Sequence, residues 1–313
     1  MKDSEHTVPP GLPRPLDRLL REQNPGTSWG DVRRAVRTGK VRVDGSVVTD
    51  PSAPVRAGAV VAVRMSAPRP EKIALPRDAI VFADAQVVVV NKPAGIATVP
   101  YEDERDTLDR LVQAALRKTA RAGTSVAPLG VVQRLDRETS GLIVFARTTA
   151  AKRHLQQQFR THAIHRRYLA IAWGRVADRT LRSRLVKDRG DGRRGSTDHP
   201  DLGREAVTHV RVLESLRDAT FVECRLETGR THQIRIHLAE AGHPLLGERV
   251  YGDRRHGAPA LAPRVMLHAA ELGFVHPTTG EELHFEERLP PDMEGVLDGL
   301  RDRTRRPRAP REP

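Results

Sequence analysis

Val131-Val-Gln-Arg-Leu-Asp-Arg-Glu-Thr-Ser-Gly141 sets Asp136 between Arg134 and Arg137, just ahead of the apolar run Leu142-Ile-Val-Phe-Ala146. Flanking cations favour the charged form of a carboxylate. Taken alone, the stretch reads equally as a solvated salt-bridge loop or as a loop that carries a catalytic carboxylate into a strand. Its neighbours decide. Upstream, Ala85-Gln-Val-Val-Val-Val-Asn91 is a near-continuous β-branched run, readable as a buried strand, and Lys92-Pro-Ala-Gly95 stops it with a turn. Lys92 at that strand end either snorkels to water or faces an anion in a cleft. Thr107 to Ala120 has helical spacing, and Thr148 to Phe159 predicts a second helix capped by Thr148 or Thr149.

Farther along, His165-Arg-Arg-Tyr-Leu-Ala-Ile-Ala-Trp-Gly174 predicts a strand with Tyr168, Ala170 and Ala172 on one face. A tyrosine there is either a core residue with a satisfied hydroxyl or a phenol that moves protons. Lys187 to Gly203 is rich in Gly, Asp and Arg and predicts a mobile loop, after which Thr208–Leu213 and Thr220–Leu226 alternate like paired strands. Cys224, the only cysteine, falls in the second of these as a buried strand residue, which excludes an internal disulfide and a cysteine-rich zinc site. Leu226-Glu-Thr-Gly-Arg-Thr-His-Gln-Ile-Arg-Ile-His-Leu-Ala-Glu-Ala-Gly242 then turns at Gly229 and enters a helix. Thr231 is its expected cap, Gly242 its stop, and Ile234, Leu238 and Ala241 its core face. Arg230 precedes that helix. His232 and His237 are five apart, point to different faces and lack a carboxylate at metalloprotease spacing, so no metal site is expected.

The chain of 313 residues carries 53 Lys and Arg against 40 Asp and Glu, a formal charge of +13 that calls for a polyanionic partner, nucleic acid or an anionic membrane surface. Its apolar stretches are too short to span a bilayer and its first residues lack a signal-peptide core, so a soluble cytoplasmic protein is expected. Residues 1–14, with Pro9, Pro10 and Pro13, read as a disordered arm. Residues 15–66 form a small unit: helical spacing at Leu16–Leu20 and Asp31–Val36, a hairpin turning at Asp44-Gly45, and a closing strand at Val60–Val63. Residues 67–76 are a Pro-rich linker, 77–291 the main domain and 292–313 a basic tail.

Arg33, Arg34, Arg37, Lys40 and Arg42 concentrate on the second helix of the small unit and the turn leaving it. Such a face is either a solvated basic helix or one that follows a phosphate backbone without reading sequence. The order of elements, with Ser28 to Gly45 at its spacing, resembles the S4 RNA-binding domain. Trp29 and Gly30 stand where that family often has Arg and Ser, and Gly58-Ala59 replaces its usual Gly-Asp.

Lys92-Pro-Ala-Gly, Arg134-Leu-Asp-Arg-Glu-Thr-Ser-Gly, Tyr168-Leu-Ala, Thr228-Gly-Arg-Thr-His-Gln-Ile-Arg, Gly242-His-Pro-Leu-Leu-Gly and Leu267-His-Ala-Ala-Glu-Leu occur in one order. Together they are similar to the RluA-type pseudouridine synthases over residues 80–291. Gln133 stands where many members have His, and Glu248 where Asp is common. The resemblance implies an α+β fold around a long, mostly antiparallel mixed sheet with a central cleft, an RNA substrate and no cofactor. Large-subunit ribosomal RNA is the expected target, transfer RNA the alternative, and a monomer the expected state. It implies Asp136 as nucleophile, attacking ribose C1′ or acting as a base through a glycal, with Arg230 as its counter-ion and Tyr168 stacking on the base or helping to take its C5 proton. Lys92 and Arg134 are expected to touch RNA. The rivals are a non-catalytic RNA-binding factor of the same fold, which retention of Asp136, Tyr168 and Arg230 opposes, and a glycosidase, which lacks a second carboxylate in matching context.

Overall fold

The computed structural model describes residues 1–11, 14–68, 75–76, 78–100, 106–120, 125–190, 192–252 and 262–305. The chain divides into two compact units, the first of residues 1–74 together with 100–105, the second of residues 75–99 and 106–313. Most of the Pro-rich linker, residues 69–74, lies outside the described residues, as do 306–313 at the end of the basic tail.

The first unit runs β1 (Ser4–Thr7), β2 (Arg14–Pro15), α1 (Leu16–Gln23), α2 (Trp29–Arg37), β3 (Val41–Val43), β4 (Ser46–Val47), β5 (Pro54–Val55) and β6 (Val60–Val63). Ser28 caps α2, its Oγ accepting the Asp31 amide at 3.1 Å. The turn between β3 and β4 takes positive φ at both Asp44 (50°) and Gly45 (80°), the geometry that an Asp-Gly hairpin favours. Leu16, Leu20, Val32, Val36, Val41, Val61 and Val63 form the core. The first residues are not a disordered arm. β1 pairs antiparallel with β6, Ser4 opposite Val63, and Val8 is buried. Without it β6 would end the sheet with a row of open amides and carbonyls, which β1 satisfies.

The second unit runs β7 (Ile80–Ala83), β8 (Val87–Lys92), α3 (Leu108–Thr119), β9 (Gly130–Val131), β10 (Ser140–Ala146), α4 (Thr149–Arg160), β11 (His165–Trp173), β12 (Arg179–Val186), β13 (Gly195–Thr197), β14 (Arg204–Ser215), β15 (Ala219–Leu226), α5 (Gln233–Glu240), β16 (Leu267–Val275), β17 (Glu282–Glu286) and α6 (Pro291–Arg305). Its 11-stranded sheet has the order β13-β12-β14-β15-β11-β16-β10-β8-β7, with β17 beside β16 and β9 beside β10. Only β10 and β16 pair in parallel among the described strands.

Both faces of the central strands are covered, and that is why β8 and β10 read as unbroken apolar runs. Val88, Val90, Ile143 and Phe145 face one core with Leu108 and Val112 of α3 and Ile234 and Leu238 of α5. Val87, Val89, Leu142 and Val144 face another with Ala151 and Leu155 of α4.

The supposed tail from 292 begins as a helix. Met293, Leu297 and Leu300 of α6 bury against Leu169, Ile171 and Met266, so apolar residues at helical spacing outweigh the surrounding charge. The stretch 187–203, expected as loop throughout, contains β13, which extends the sheet edge by pairing with β12. Thr148 is the cap of α4, its Oγ1 accepting the Ala151 amide at 3.1 Å.

Candidate active site

Asp136 sits in the loop between β9 and β10, on the C-terminal side of a buried anchor. Thr98 Oγ1 donates to the Leu135 carbonyl at 2.7 Å and accepts the Leu135 amide at 3.1 Å, which holds the preceding residue from both sides. After Asp136 the chain turns, the Thr139 amide bonding back to the Asp136 carbonyl at 3.1 Å. The carboxylate itself is partly open, its side chain 22% exposed.

The counter-ion is Arg235, not Arg230. Arg235 Nη1 lies 3.3 Å from Asp136 Oδ2. Arg230 instead turns back along β14, where its Nε donates to the Glu205 carbonyl at 2.9 Å. The reason is how the chain enters α5. His232, not Thr231, occupies the cap position, with left-handed φ of 59° and no side-chain capping bond. Gln233 organises the turn, its Oε1 accepting Thr228 Oγ1 at 2.8 Å and the Arg230 amide at 3.0 Å, while Nε2 donates to the Val207 carbonyl and Thr208 Oγ1, each at 3.0 Å. Arg230 is thereby left ahead of the helix and Arg235 in its first turns. Gly242, with φ of 85°, ends the helix as expected.

Arg235 is held in turn by Glu248, whose side chain is wholly buried. Nε and Nη2 reach Oε2 and Oε1 at 2.7 and 2.9 Å, a bidentate pair. Burial opposes the charge on each partner. Their pairing overcomes it, raising the guanidinium above and lowering the carboxyl below their usual ranges. Both carboxylate oxygens of Glu248 are used in this two-pronged grip. Tyr251 lies with its ring 5.4 Å from the Arg235 guanidinium and its hydroxyl 2.7 Å from His232 Nδ1. His232 Nε2 is 3.7 Å from Asp136 Oδ1, and burial pushes this imidazole below its usual range, so it stands neutral at pH 7.

Tyr168 lies on β11 with Ala170 and Ala172 on the expected inward face. A register shift between Arg167 and Tyr168 against β16 sets its position. Burial pushes its phenol up. The Arg166 charge opposes this and the charge of Asp136 adds to it, so the phenol keeps its proton at neutral pH. Arg166, itself buried, spreads under the chain before α5, its Nη2 3.4 Å from the Leu226 and Glu227 carbonyls. A Cβ on Gly229 would come within 2.8 Å of its Nη1.

Lys92 does not reach the surface, as snorkelling or contact with RNA would require. It is fully buried, and its Nζ donates to the Pro93 and Arg137 carbonyls at 3.0 and 2.9 Å. Burial lowers the amine to about 7, against the attraction of Asp136. Arg134 is exposed beside the carboxylate loop, 3.4 Å from Thr231 Oγ1. Gln133 Nε2 is buried with no hydrogen-bond partner among the described residues.

In the first unit Arg34 and Arg42 are exposed, Arg34 pairing with Asp31 and Arg42 donating to the Gly45 carbonyl. Arg33 pairs with Asp17 at 2.9 Å and lies over Trp29, whereas Lys40 donates to the Ala67 carbonyl. Arg37 is half-buried. Two of the five basic residues therefore double as fastenings of the unit. No group of three His, Cys, Asp or Glu residues able to hold a metal occurs among the described residues. No described helix is long and apolar enough to cross a membrane.

Reading the sequence missed Arg235, although a signal was present. A charged residue flanked by Ile234 and Ile236 on a short buried helix demands a partner, and the unusual Glu248 was available.

Comparison with known proteins gives the family of both units. A family model described as RNA pseudouridylate synthase matches residues 86–240, and the S4 domain model matches residues 14–61. A Zymomonas mobilis protein named ribosomal large subunit pseudouridine synthase D is 37% identical over 89% of this chain and 91% of its own length. The Xylella fastidiosa protein of the same name is 36% identical over 95% of this chain and 92% of its own. The solved structure of human RNA pseudouridylate synthase domain containing 4 superposes with a TM-score of 0.59 at 25% identity, covering 71% of this chain and 92% of that one.

Proposed function

The chain belongs to the RNA pseudouridylate synthase family, with an S4 domain ahead of the catalytic unit, and on that premise we propose that Asp136 is the nucleophile with which it isomerises uridines of large-subunit ribosomal RNA. Isomerisation breaks the bond from N1 to ribose C1′, turns the uracil and joins C5 to C1′. The C5 proton leaves and N1 gains one, so oxidation state does not change. The step needs an anion beside C1′ and a surface on which the base can turn. Asp136 supplies the anion, adding to C1′ or removing a ribose proton to give a glycal.

The observation that carries this reading is the chain Asp136–Arg235–Glu248. A partly open carboxylate is gripped on one oxygen by an arginine that a buried glutamate holds immobile. Such anchoring keeps a nucleophile in place at little cost when substrate arrives. Tyr168, buried and protonated, serves as a wall and hydrogen-bond donor for the base more readily than as a proton acceptor. A uridine inside a helix cannot reach Asp136 and must flip out, at a cost of about a few kcal/mol that is smallest in loops and bulges.

Relatives named for the large ribosomal subunit support that choice of RNA. The test is Asp136→Asn in a tritium-release assay on bulk RNA: turnover should vanish while RNA binding is retained, and residual turnover would sink the nucleophile. Pseudouridine mapping in cells with and without the gene separates the targets. Lost sites confined to transfer RNA would overturn the ribosomal assignment.

A further inference from the structure

The two carbonyls that follow Asp136 each accept from a buried basic side chain. Lys92 Nζ holds the Arg137 carbonyl at 2.9 Å, helped by the Gly95 amide at 2.8 Å. Arg264 Nη1 holds the Glu138 carbonyl at 3.0 Å. Arg264 is itself buried, and all its N–H groups are engaged. Nε and Nη2 grip Asp292 in the first turn of α6 at 2.6 and 3.0 Å. Nη2 also reaches Ser140 Oγ at 3.1 Å, and Nη1 the Val265 and Leu267 carbonyls at 3.0 and 3.2 Å. One guanidinium thus ties together the loop bearing Asp136, the start of β10, the start of β16 and the C-terminal helix.

We propose that Arg264, anchored by Asp292, is a positioning residue for Asp136, and that α6 is through this pair part of the active-site support. The inference rests on Asp136 being the nucleophile. The geometry favours a positioning role over a merely cohesive one because the contact falls within the turn that Asp136 opens. Thr139 closes that turn onto the Asp136 carbonyl, and Ser140, the next residue, is gripped by the same guanidinium. Release of the Glu138 carbonyl frees the turn on the side that Lys92 does not hold. The Asp136 side chain keeps its pairing with Arg235, and Leu135 and the Arg137 carbonyl stay held, but the turn that Asp136 opens loses the fastening at its far end. A nucleophile misplaced by about 1 Å loses roughly 100-fold in rate.

The experiment compares Arg264→Lys, Asp292→Asn and Asp136→Asn in the full chain by tritium release, with kcat and KM measured separately and folding followed by thermal melting. Lysine keeps the charge but cannot bridge Asp292, Ser140 and Glu138 at once. Arg264→Lys should lower kcat roughly 10- to 100-fold with KM within about twofold. Asp292→Asn leaves the guanidinium and loosens only its anchor; as Asp292 is 37% exposed it should fold and show a smaller loss in kcat, and Asp292→Glu should restore most of it. Wild-type kcat in Asp292→Asn, or a loss carried by KM alone, would overturn the proposal even if Asp136→Asn is dead. Activity in Asp136→Asn would instead remove the nucleophile reading, and this inference with it.

Discussion

Arg235 and Asp136, ninety-nine positions apart in the chain, meet at 3.3 Å between helix α5 and the loop entering β10. The arginine belongs first to Glu248, which holds it by two bonds, and only then to Asp136, which it meets with the remaining nitrogen.

Truncating Arg235 should therefore cost both rate and stability. Arg235→Met leaves Glu248 buried without its counter-charge, with only the Val250 and Tyr251 amides still donating to it, a loss of about 3–5 kcal/mol in urea unfolding, and should reduce kcat roughly 100-fold or more. Arg230→Ala, which removes only a bond to a backbone carbonyl, should keep kcat within about fivefold. Equal rate losses in the two variants would contradict the assignment of the counter-ion.

A double-mutant cycle isolates the buried pair. Glu248→Gln alone should destabilise the protein, whereas adding Arg235→Met should cost less than the sum of the single changes, since the second removes a charge the first has orphaned. Additive losses would mean that the two side chains do not act as a unit.

Lys92 makes stability depend on pH in the alkaline direction. Below about 7 its amine is charged in both folded and unfolded chains, and its desolvation opposes folding in full. As pH rises from 7 towards 10.5, the unfolded chain binds more protons than the folded one, so the contribution of Lys92 to stability increases. The stability of the native protein minus that of Lys92→Met should accordingly rise by about 1.4 kcal/mol per pH unit at most across this window. A difference that stays level between pH 7 and 9.5 would show that the amine remains charged.

On the first unit the basic residues should separate into two kinds. Arg34→Ala and Arg42→Ala, both at exposed positions, should each lower the slope of log affinity for RNA against log salt by about one without changing the melting temperature. Arg33→Ala should lower the melting temperature as well, because it deserts the partly buried Asp17.

Gly141 should tolerate no side chain. A Cβ there would lie 2.2 Å from the Ala269 carbonyl of the parallel neighbour β16, and φ is 108°. Gly141→Ala should fail to fold or lose activity with stability, whereas Gly280→Ala, at φ of 75° with open space around it, should cost only about 1 kcal/mol. Comparable melting temperatures for the two would mean that β10 and β16 do not approach so closely.

Local pattern carried much of the second unit. The β-branched run ending at Lys92, the inward alternation of Tyr168, Ala170 and Ala172, the burial of Cys224 and the stop at Gly242 were all legible, because each depends on residues within a few positions. β16 was not, since His268, Ala269, Ala270, Glu271 and Gly273 give no clean alternation, and the strand exists by being paired on both sides. The same holds for β1, whose Ser4, Glu5, His6 and Thr7 become a strand because β6 has an edge to cover.

The sequence by itself determined the ordered motifs, the acid in its arginine-flanked loop and the basic first unit, and through these the reaction class. Only the tertiary structure decided which arginine answers Asp136, that Lys92 lies inside, and that the charged stretch Pro291–Arg305 is a helix with a buried apolar face. The physical reason is reach. A flexible side chain spans several ångströms, so Arg230 and Arg235 are equivalent as letters in one motif until the turn at His232 and Gln233 sends one to Glu205 and the other to Asp136.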